Sequence, residues 1–311
     1  MQFMRRFYSK ISPKIKLYIP IVAGILFAFT AITIYSVNKQ RSNVMRSLER
    51  NLTLEVATIK KMLEREYALK LEKVKLDLNI LRDRFYASEL KINDNKLQVN
   101  IINQITKENR QAEINEWMMD GIKVYEDYRI VDKVFDLVGG TFTIFQKADS
   151  GYIRISTNVL KSDGRRATGT YIPNHSAVVQ TIERGETFIG RAFVVDDWYI
   201  TAYEPIIREG KVIGMLYAGD KEKDLAELRP KIRELTIGQN GFVCVMDENG
   251  KFIIHPNAEG QTWSDEPIVR QILEKKSGIL TAELARDHKM KMVAFDYFPE
   301  FNVYVAASVP L

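Results

Sequence analysis

Hydrogen-bonding and aromatic side chains are concentrated on short apolar runs between residues 151 and 217. Arg154 lies between two isoleucines in YIRIST, and Thr157 and Asn158 follow shortly after it. A guanidinium beside hydroxyl and amide groups suits a carboxylate, because it donates two parallel hydrogen bonds while its neighbours supply single ones. Aromatic rings can cover the apolar part of such a ligand. The candidate ligand-binding residues are Arg154, Thr157, Asn158, Arg166, Thr168, Trp198, Tyr199, Tyr203, Glu204 and Tyr217.

Structural roles compete with ligand binding for several of these residues. Trp198 and Tyr199 are adjacent in WYITAY, so in a strand they point to opposite faces, and part of the aromatic set must pack within the sheet. Arg165 and Arg166 occupy the turn sequence DGRR, where an arginine is commonly solvated. Arg154, between isoleucines in a strand, is therefore the stronger candidate for binding a carboxylate.

Residues that could support catalysis or bind a metal ion are sparse. The sequence contains no P-loop, no GxSxG and no HExxH motif. Its three histidines, His175, His255 and His288, have neither HxH nor HxxxH spacing. Asp196 and Asp197 are adjacent, so in a strand they cannot face one another across a substrate. We predict that the protein is not an enzyme and has no catalytic residue, no metal site and no cofactor.

Two further residues lie in the apolar runs near the C-terminus. Cys244, the single cysteine, lies in FVCVM, and this context predicts a buried strand residue. His255 ends the run KFIIHP. We predict that it satisfies a local hydrogen bond at a strand end, with contact to a ligand as the alternative.

An uncharged run at residues 17–37, LYIPIVAGILFAFTAITIYSV, is long enough to cross a bilayer as one helix. The residues before it are basic and not acidic, so the positive-inside rule predicts that residues 1–16 form a cytoplasmic tail. The remainder would then lie in the periplasm or outside the cell. A cleaved signal peptide is the competing interpretation, although its apolar core normally has only about 7 to 15 residues.

The net charge of +5 arises largely in this basic tail, so the exported part is close to neutral. This balance argues against nucleic acid as a partner.

Residues 38–129 are predicted to form a long helix and a helical connector. From Asn38 to about Ser88 the sequence is glycine-free, and its apolar residues recur every three or four positions. Such a stripe can pack on a following domain or pair with a second copy of the chain. We expect both, which makes the protein a homodimer through this helix. Residues 91–129 are predicted to be further helix and loop.

The pattern changes at Ile130, where glycines and short alternating runs such as TFTIFQ and WYITAY predict strands of an antiparallel sheet. WYITAYEPI and KVIGMLYAGD form a predicted hairpin, and DENG is a hairpin turn in a second, similar succession. A polar segment from Lys221 to Leu235 is predicted to be helical. The predicted modules cover residues 130–220 and 221–311, and their similar order of elements suggests a duplication.

The stretches TIFQKADSGYIRISTNVLKSDGRRATGT and GETFIGRAFVVDDWYITAYEPIIREGKVIGMLYAGD resemble the double Cache sensor region of bacterial methyl-accepting chemotaxis receptors, of the fused tandem type. GQNGFVCVMDENGKFIIHPNAEGQ is similar to their membrane-proximal module. The resemblance covers about residues 130–311. It implies an α+β fold with two tandem PAS-like antiparallel sheets, the first membrane-distal and the second membrane-proximal. It also implies that a small molecule binds in the distal module.

The sequence departs from one pattern of such receptors. Receptors for amino acids commonly carry an arginine shortly before a Trp-Tyr pair, where it holds the ligand carboxylate. Here Trp198 and Tyr199 follow Asp196 and Asp197, and the nearest upstream arginine is Arg191. The departure argues against amino-acid recognition by that pattern.

The predicted function is small-molecule sensing by the extracytoplasmic region of a receptor in a bacterial inner membrane, with output to chemotaxis machinery, a kinase or a cyclase. In the resembled receptors a second membrane helix and a cytoplasmic region follow, whereas this sequence ends in SVPL. The alternative is a complete membrane-anchored binding protein that presents its ligand or its own surface to a separate receptor. A gene that continues past Leu311 into a second hydrophobic segment would exclude this alternative.

Overall fold

The computed structural model describes residues 13–223, 225–238 and 240–311, with residues 13–20 as backbone only. Most of the predicted cytoplasmic tail, residues 1–12, lies outside the described residues. One long helix is followed by a nine-stranded sheet and then a six-stranded sheet. We call the region of the first sheet the distal module and that of the second the proximal module.

Helix α1, Pro13–Tyr86, is continuous, so the predicted membrane span and the predicted long helix are parts of one element. Within the described residues, one helix is long and apolar enough to cross a membrane. The most apolar window of that helix has a mean hydropathy of 1.9, and none of it is buried. This segment presents side chains to its surroundings on every face, as a membrane span requires.

The predicted apolar stripe of α1 is confirmed from Leu52 onward. Its buried residues are Leu52, Val56, Ile59, Leu63, Val74, Leu78, Leu81 and Phe85. Polar contacts set the register of the helix against the sheets. Lys60 Nζ lies 2.7 Å from Asp296 of the proximal sheet, and Arg82 Nη1 lies 3.3 Å from Glu204 of the distal sheet. One face of α1 therefore packs on both modules.

The distal sheet has the strand order β3-β2-β1-β6-β5-β4-β9-β8-β7. Its pairs are antiparallel except for a short parallel pair between β1 and β6. The strands of this sheet are β1 Leu90–Asn103, β2 Asn109–Met119, β3 Ile122–Lys123, β4 Thr141–Ala148, β5 Gly151–Thr157, β6 Thr170–Pro173, β7 Phe188–Val194, β8 Asp197–Arg208 and β9 Lys211–Lys221. Helix α2, Arg129–Val138, lies between β3 and β4 in the chain, and helix α3, Ala177–Glu183, lies between β6 and β7.

The prediction of helix and loop for residues 91–129 was wrong, because this region forms strands β1 to β3. In β1 and β2, half-buried and exposed residues alternate over much of their length, and these strands lie next to the short edge strand β3. The distal sheet accordingly begins at residue 90 rather than at residue 130. The predicted hairpin of β8 and β9 is confirmed.

The proximal sheet has the order β10-β11-β15-β14-β13, with β12 paired to β11. Its elements are α4 Arg229–Arg233, β10 Thr236–Ile237, β11 Gly241–Asp247, β12 Phe252–Ile254, α5 Pro267–Lys275, β13 Gly278–Leu284, β14 Lys289–Phe298 and β15 Val303–Pro310. The predicted helix from Lys221 to Leu235 is reduced to the five residues of α4, because β9 extends to Lys221 and turns follow it.

The predicted similarity of the two modules is confirmed at the level of topology. Strands β5-β4-β9-β8-β7 of the distal sheet and β12-β11-β15-β14-β13 of the proximal sheet have the same spatial order and the same order along the chain. A helix, α3 or α5, lies at the same point of each succession. In each sheet one face packs on α1 and the opposite face carries a separate apolar core beneath α3 or α5.

Candidate functional site

The candidate site lies on the face of the distal sheet that is turned away from α1. In the strand pairing, Arg154 on β5 lies opposite Phe145 on β4, which lies opposite Met215 on β9. The neighbouring row across the sheet consists of Tyr203, Tyr217, Thr143 and Thr157. Helix α3 covers this face with its buried residues Val178, Val179 and Ile182. The alternation of side chains along each strand therefore brings Arg154 and the tyrosines together.

Arg154 is fully buried, although arginine is seldom buried without a charged partner. Its Nη1 donates to Gln104 Oε1 at 3.1 Å and to Thr170 Oγ1 at 2.7 Å. The ring of Phe145 lies 4.8 Å from the guanidinium carbon, which is cation–π geometry. These groups hold the guanidinium in place but contribute no negative charge.

The other edge of the guanidinium is free. Nε and Nη2 of Arg154 are buried and have no hydrogen-bond partner among the described residues. These two N–H groups form the fork that binds both oxygens of a carboxylate. No three His, Cys, Asp or Glu side chains in the described ranges are grouped to hold a metal ion. The positive charge of Arg154 is thus the dominant chemical feature of this face.

The tyrosines around Arg154 are neutral hydrogen-bonding groups at physiological pH. Burial raises the pKa of Tyr199 to about 12 and also raises the pKa of Tyr203. The Tyr203 hydroxyl is buried without a partner among the described residues, whereas Tyr217 Oη lies 3.0 Å from Thr141 Oγ1. The rings of Tyr203 and Tyr217 are 4.9 Å apart. They provide an aromatic wall and one free hydroxyl beside the guanidinium.

Burial also lowers the pKa of the Arg154 guanidinium, because a low dielectric disfavours its charged form. A bound anion would reverse this effect.

Of the predicted site residues, the structure brings together Arg154, Thr157, Tyr199, Tyr203 and Tyr217. The hydroxyl of Thr157 already has a hydrogen-bond partner within the sheet, because its Oγ1 lies 2.7 Å from Thr143 Oγ1. Its hydroxyl therefore supports the strand pairing of β4 and β5.

Three other predicted residues make structural contacts away from the free edge of Arg154. Asn158 accepts a hydrogen bond from the Phe142 backbone and donates one to Gly140. Arg166 donates two hydrogen bonds to Asp132, at 2.7 and 2.9 Å, from the loop between β5 and β6. Thr168 Oγ1 lies 3.2 Å from Tyr128 Oη.

Trp198 and Glu204 lie on the opposite face of β8, the face that contacts α1. Glu204 accepts from Arg82 of that helix, and Trp198 stacks on Arg191, whose guanidinium carbon is 3.7 Å from the ring centre. Arg191 in turn donates to the fully buried Glu222. The structure does not bring these two predicted residues to the Arg154 face. Alternation along WYITAYE, which separates Tyr199 and Tyr203 from Trp198 and Glu204, is the signal that distinguishes them.

Gln104 is a site residue that the sequence analysis missed. It directly follows β1, in a region predicted to be helical, and its Nε2 donates to the Phe193 carbonyl at 3.1 Å. The alternation in KLQVNIIN could have identified the strand. The pairing of β1 with β6 places Gln104 next to Arg154, and no local sequence pattern indicates this pairing.

A candidate membrane helix and two tandem sheet modules of one topology define a Cache-type sensor region. The chain belongs to the Cache 3/Cache 2 fusion domain family, whose family model matches residues 38–311. This match confirms the predicted resemblance and the α+β fold class. Membership of this family supports extracytoplasmic small-molecule sensing as the function of the chain.

Several solved chemoreceptor domains are similar to this chain in fold. The ligand-binding domain of Mlp24 with asparagine is 15% identical with a TM-score of 0.44, and the alignment covers 87% of this chain and 95% of that domain. The domain of Campylobacter jejuni Tlp3 with 4-methylisoleucine is 10% identical with a TM-score of 0.48, covering 85% and 91%. The domain of Pseudomonas aeruginosa PAO1 PctC with GABA is 17% identical with a TM-score of 0.32, covering 54% and 73%. No curated protein matches the chain significantly.

Proposed function

We propose that this chain is the sensing region of a bacterial transmembrane receptor and binds a small carboxylate in its distal module. The observation that carries the proposal is the free Nε–Nη2 edge of the buried Arg154. A buried charge without a counter-ion is costly, and a ligand carboxylate would compensate it with two hydrogen bonds. The apolar part of the ligand would lie against Tyr203 and Tyr217.

The membrane placement is part of the proposal. The apolar window of α1 supports a single span, and the basic residues before it support a cytoplasmic N-terminus in the bacterial inner membrane. Both sheet modules would then lie on the periplasmic or extracellular side.

Strand β8 offers a route from the ligand to the membrane helix. Tyr203 on β8 faces the site, and the next residue, Glu204, pairs with Arg82 of α1. A shift of β8 on ligand binding would therefore change the contacts of α1, which is continuous into the membrane segment. A coupling of about 1 to 3 kcal/mol would suffice for signalling to chemotaxis or kinase machinery.

A homodimer through α1 completes the proposed receptor. Beyond the residues that pack on the sheets, α1 exposes Val44, Leu54, Leu69 and Leu76. At 3.6 residues per turn these four side chains fall within an arc of about 80°, roughly opposite the buried stripe. A second copy of the same helix would cover such a stripe.

Ligand binding to Arg154 can be tested by calorimetric titration of the full chain in nanodiscs. The probes are lactate, succinate, benzoate and amino acids, each compared with its amide. For a carboxylate that binds, we expect Arg154→Ala to weaken binding about 100-fold, because a bidentate charged contact is lost. Arg154→Lys should recover part of the loss, since it keeps the charge without the fork.

Arg165→Ala is the matched control, because Arg165 is exposed and paired with Asp163 outside the site. Its affinity should equal that of the wild type. Unchanged affinity in an Arg154→Ala chain that retains a cooperative thermal transition would refute the proposed site.

A further inference from the structure

The proximal module contains a cavity of about 320 Å³ on the face of its sheet that is covered by α5. Its walls include Cys244 and Met246 of β11, Ile268 and Ile272 of α5, and Ala306 of β15. Small-molecule sites in proteins have volumes of this order and are mostly apolar, with a few polar groups that orient the ligand.

This cavity occupies the position in the proximal module that the Arg154 site occupies in the distal module. In both modules the site lies on the face turned away from α1, beneath the helix that follows the first hairpin. Strand β11 corresponds to β4, and β12 corresponds to β5 in the shared topology. The fold thus presents the same kind of covered sheet face twice.

The polar groups of the cavity include His255, which follows β12. Its Nδ1 accepts hydrogen bonds from the backbone N–H groups of Asn257 and Ala258, each at 3.0 Å. Nδ1 therefore carries no proton, and the neutral ring must carry it on Nε2. Nε2 has no hydrogen-bond partner among the described residues, and His255 lines the cavity. The ring is a fixed donor for a ligand.

The charges at the cavity compensate one another. Lys291 Nζ lies 2.9 Å from Asp287 Oδ2, and both residues line the cavity. The net charge of this pair is zero, in contrast to the uncompensated Arg154 of the distal module. The cavity is therefore suited to a ligand whose apolar body dominates its binding.

We propose that the proximal module binds a second small molecule, with its apolar body against Met246, Ile268 and Ala306 and a hydrogen-bond-accepting oxygen on His255 Nε2. This inference goes beyond the proposed function, which places the ligand in the distal module. It assigns the proximal module a different ligand class, because a neutral donor in an apolar cavity replaces the buried cation.

The proposal can be tested by NMR of the full chain in nanodiscs with ¹³C-labelled methionine methyl groups. The probes are butyrate, butyramide, benzoate and benzamide. Met246 reports on the cavity, Met215 on the row of Arg154, and Met292 on the α1-facing side of the proximal sheet. We expect at least one probe to shift Met246 in a saturable manner while Met292 remains unchanged.

Two variants separate ligand contact from folding. His255→Asn keeps a side-chain acceptor for the backbone N–H groups but removes the Nε2 donor, and it should weaken binding about tenfold. Ala306→Leu fills the cavity and should abolish the Met246 shift. Arg154→Ala should leave the Met246 response unchanged, so failure of the distal site does not affect this test.

An oxygen acceptor at His255 does not require a negative charge, so binding of an amide, with or without its acid, supports the proposal. Binding of the acids alone would show that a cation recognises the ligand, as in the distal module, and would overturn the assignment of a different ligand class. Saturable shifts of Met215 alone would support the distal site and overturn this proposal. The absence of any Met246 shift from all four probes would overturn it as well.

Discussion

His255 closes the turn after β12 by accepting two backbone hydrogen bonds at Nδ1, so protonation of this nitrogen would break both. Burial lowers the pKa of His255 from 6.5 to about 4. Between these two pH values the unfolded chain binds more protons than the folded chain. The free energy of unfolding therefore falls as the pH is lowered from about 6.5 to about 4.

The contribution of His255 can be isolated by measuring thermal unfolding at about pH 7 and about pH 5. We expect the wild type to lose more stability over this interval than His255→Asn, which has no ring to protonate. His175→Asn is the control, because His175 is exposed, and it should behave like the wild type. An identical loss in all three proteins would contradict this account of His255.

At single residues the sequence predicted the strand and the sheet face of a side chain better than the contacts that the side chain makes. The isoleucines on both sides of Arg154 correctly indicated a strand, and alternation in WYITAY correctly separated Trp198 from Tyr199. The ion pair of Glu204 with Arg82 depends on the register of α1 against β8, which no local pattern contains. The contact of Gln104 with Arg154 likewise depends on a pairing between distant strands.

Among the elements, α1 was predictable because its period persists over many turns, whereas the β1–β2 hairpin was not. The strand β2 sequence NRQAEINEWMM combines asparagine, glutamine and glutamate with few β-branched residues, so its propensity for a strand is weak. Its place in the fold is decided by packing instead. Trp117 of β2 is buried against Gly214 of β9, where a side chain would not fit.

Gly214→Ala tests this packing between β2, β4 and β9. An added Cβ would collide with the Phe145 carbonyl oxygen and lie 2.8 Å from Trp117 Cη2. We expect a loss of about 1 to 3 kcal/mol in the free energy of unfolding, the usual cost of overpacking a core. The measurement is denaturant unfolding monitored by tryptophan fluorescence.

Gly24→Ala is the matched control for this substitution, because no atom lies within 4 Å of an added Cβ there. It should not lower stability, since no neighbour is displaced and alanine favours a helix more than glycine does. A Gly214→Ala chain as stable as this control would show that the β1–β2 hairpin does not pack on β9 as described.

At the scale of the whole molecule, α1 is the element that connects everything else. Its buried face contacts the proximal module through Lys60 and the distal module through Arg82, and its N-terminal part is the candidate membrane span. Ligand sites on both modules would lie on sheet faces turned away from α1. A signal from either site must therefore cross one sheet before it reaches the helix.

The proposed dimer makes the exposed stripe of α1 the contact between two receptors, and cysteine cross-linking in membranes tests it. Leu76 is 62% exposed and lies in the stripe. We expect Leu76→Cys to form a disulfide-linked dimer under mild oxidation, since residues at the axis of a helix pair approach within disulfide distance. Burial raises the pKa of the native Cys244 to about 12, so this thiol should not react.

Lys75→Cys is the control for this experiment, because residue 75 is about 100° around the helix from Leu76. Its side chain is also exposed, so a thiol there is accessible to the oxidant. Strong cross-linking at residue 76 and weak cross-linking at residue 75 would indicate a specific helix pair. Equal yields at both positions would instead indicate random collisions in the membrane, and the exposed stripe would then need a different partner.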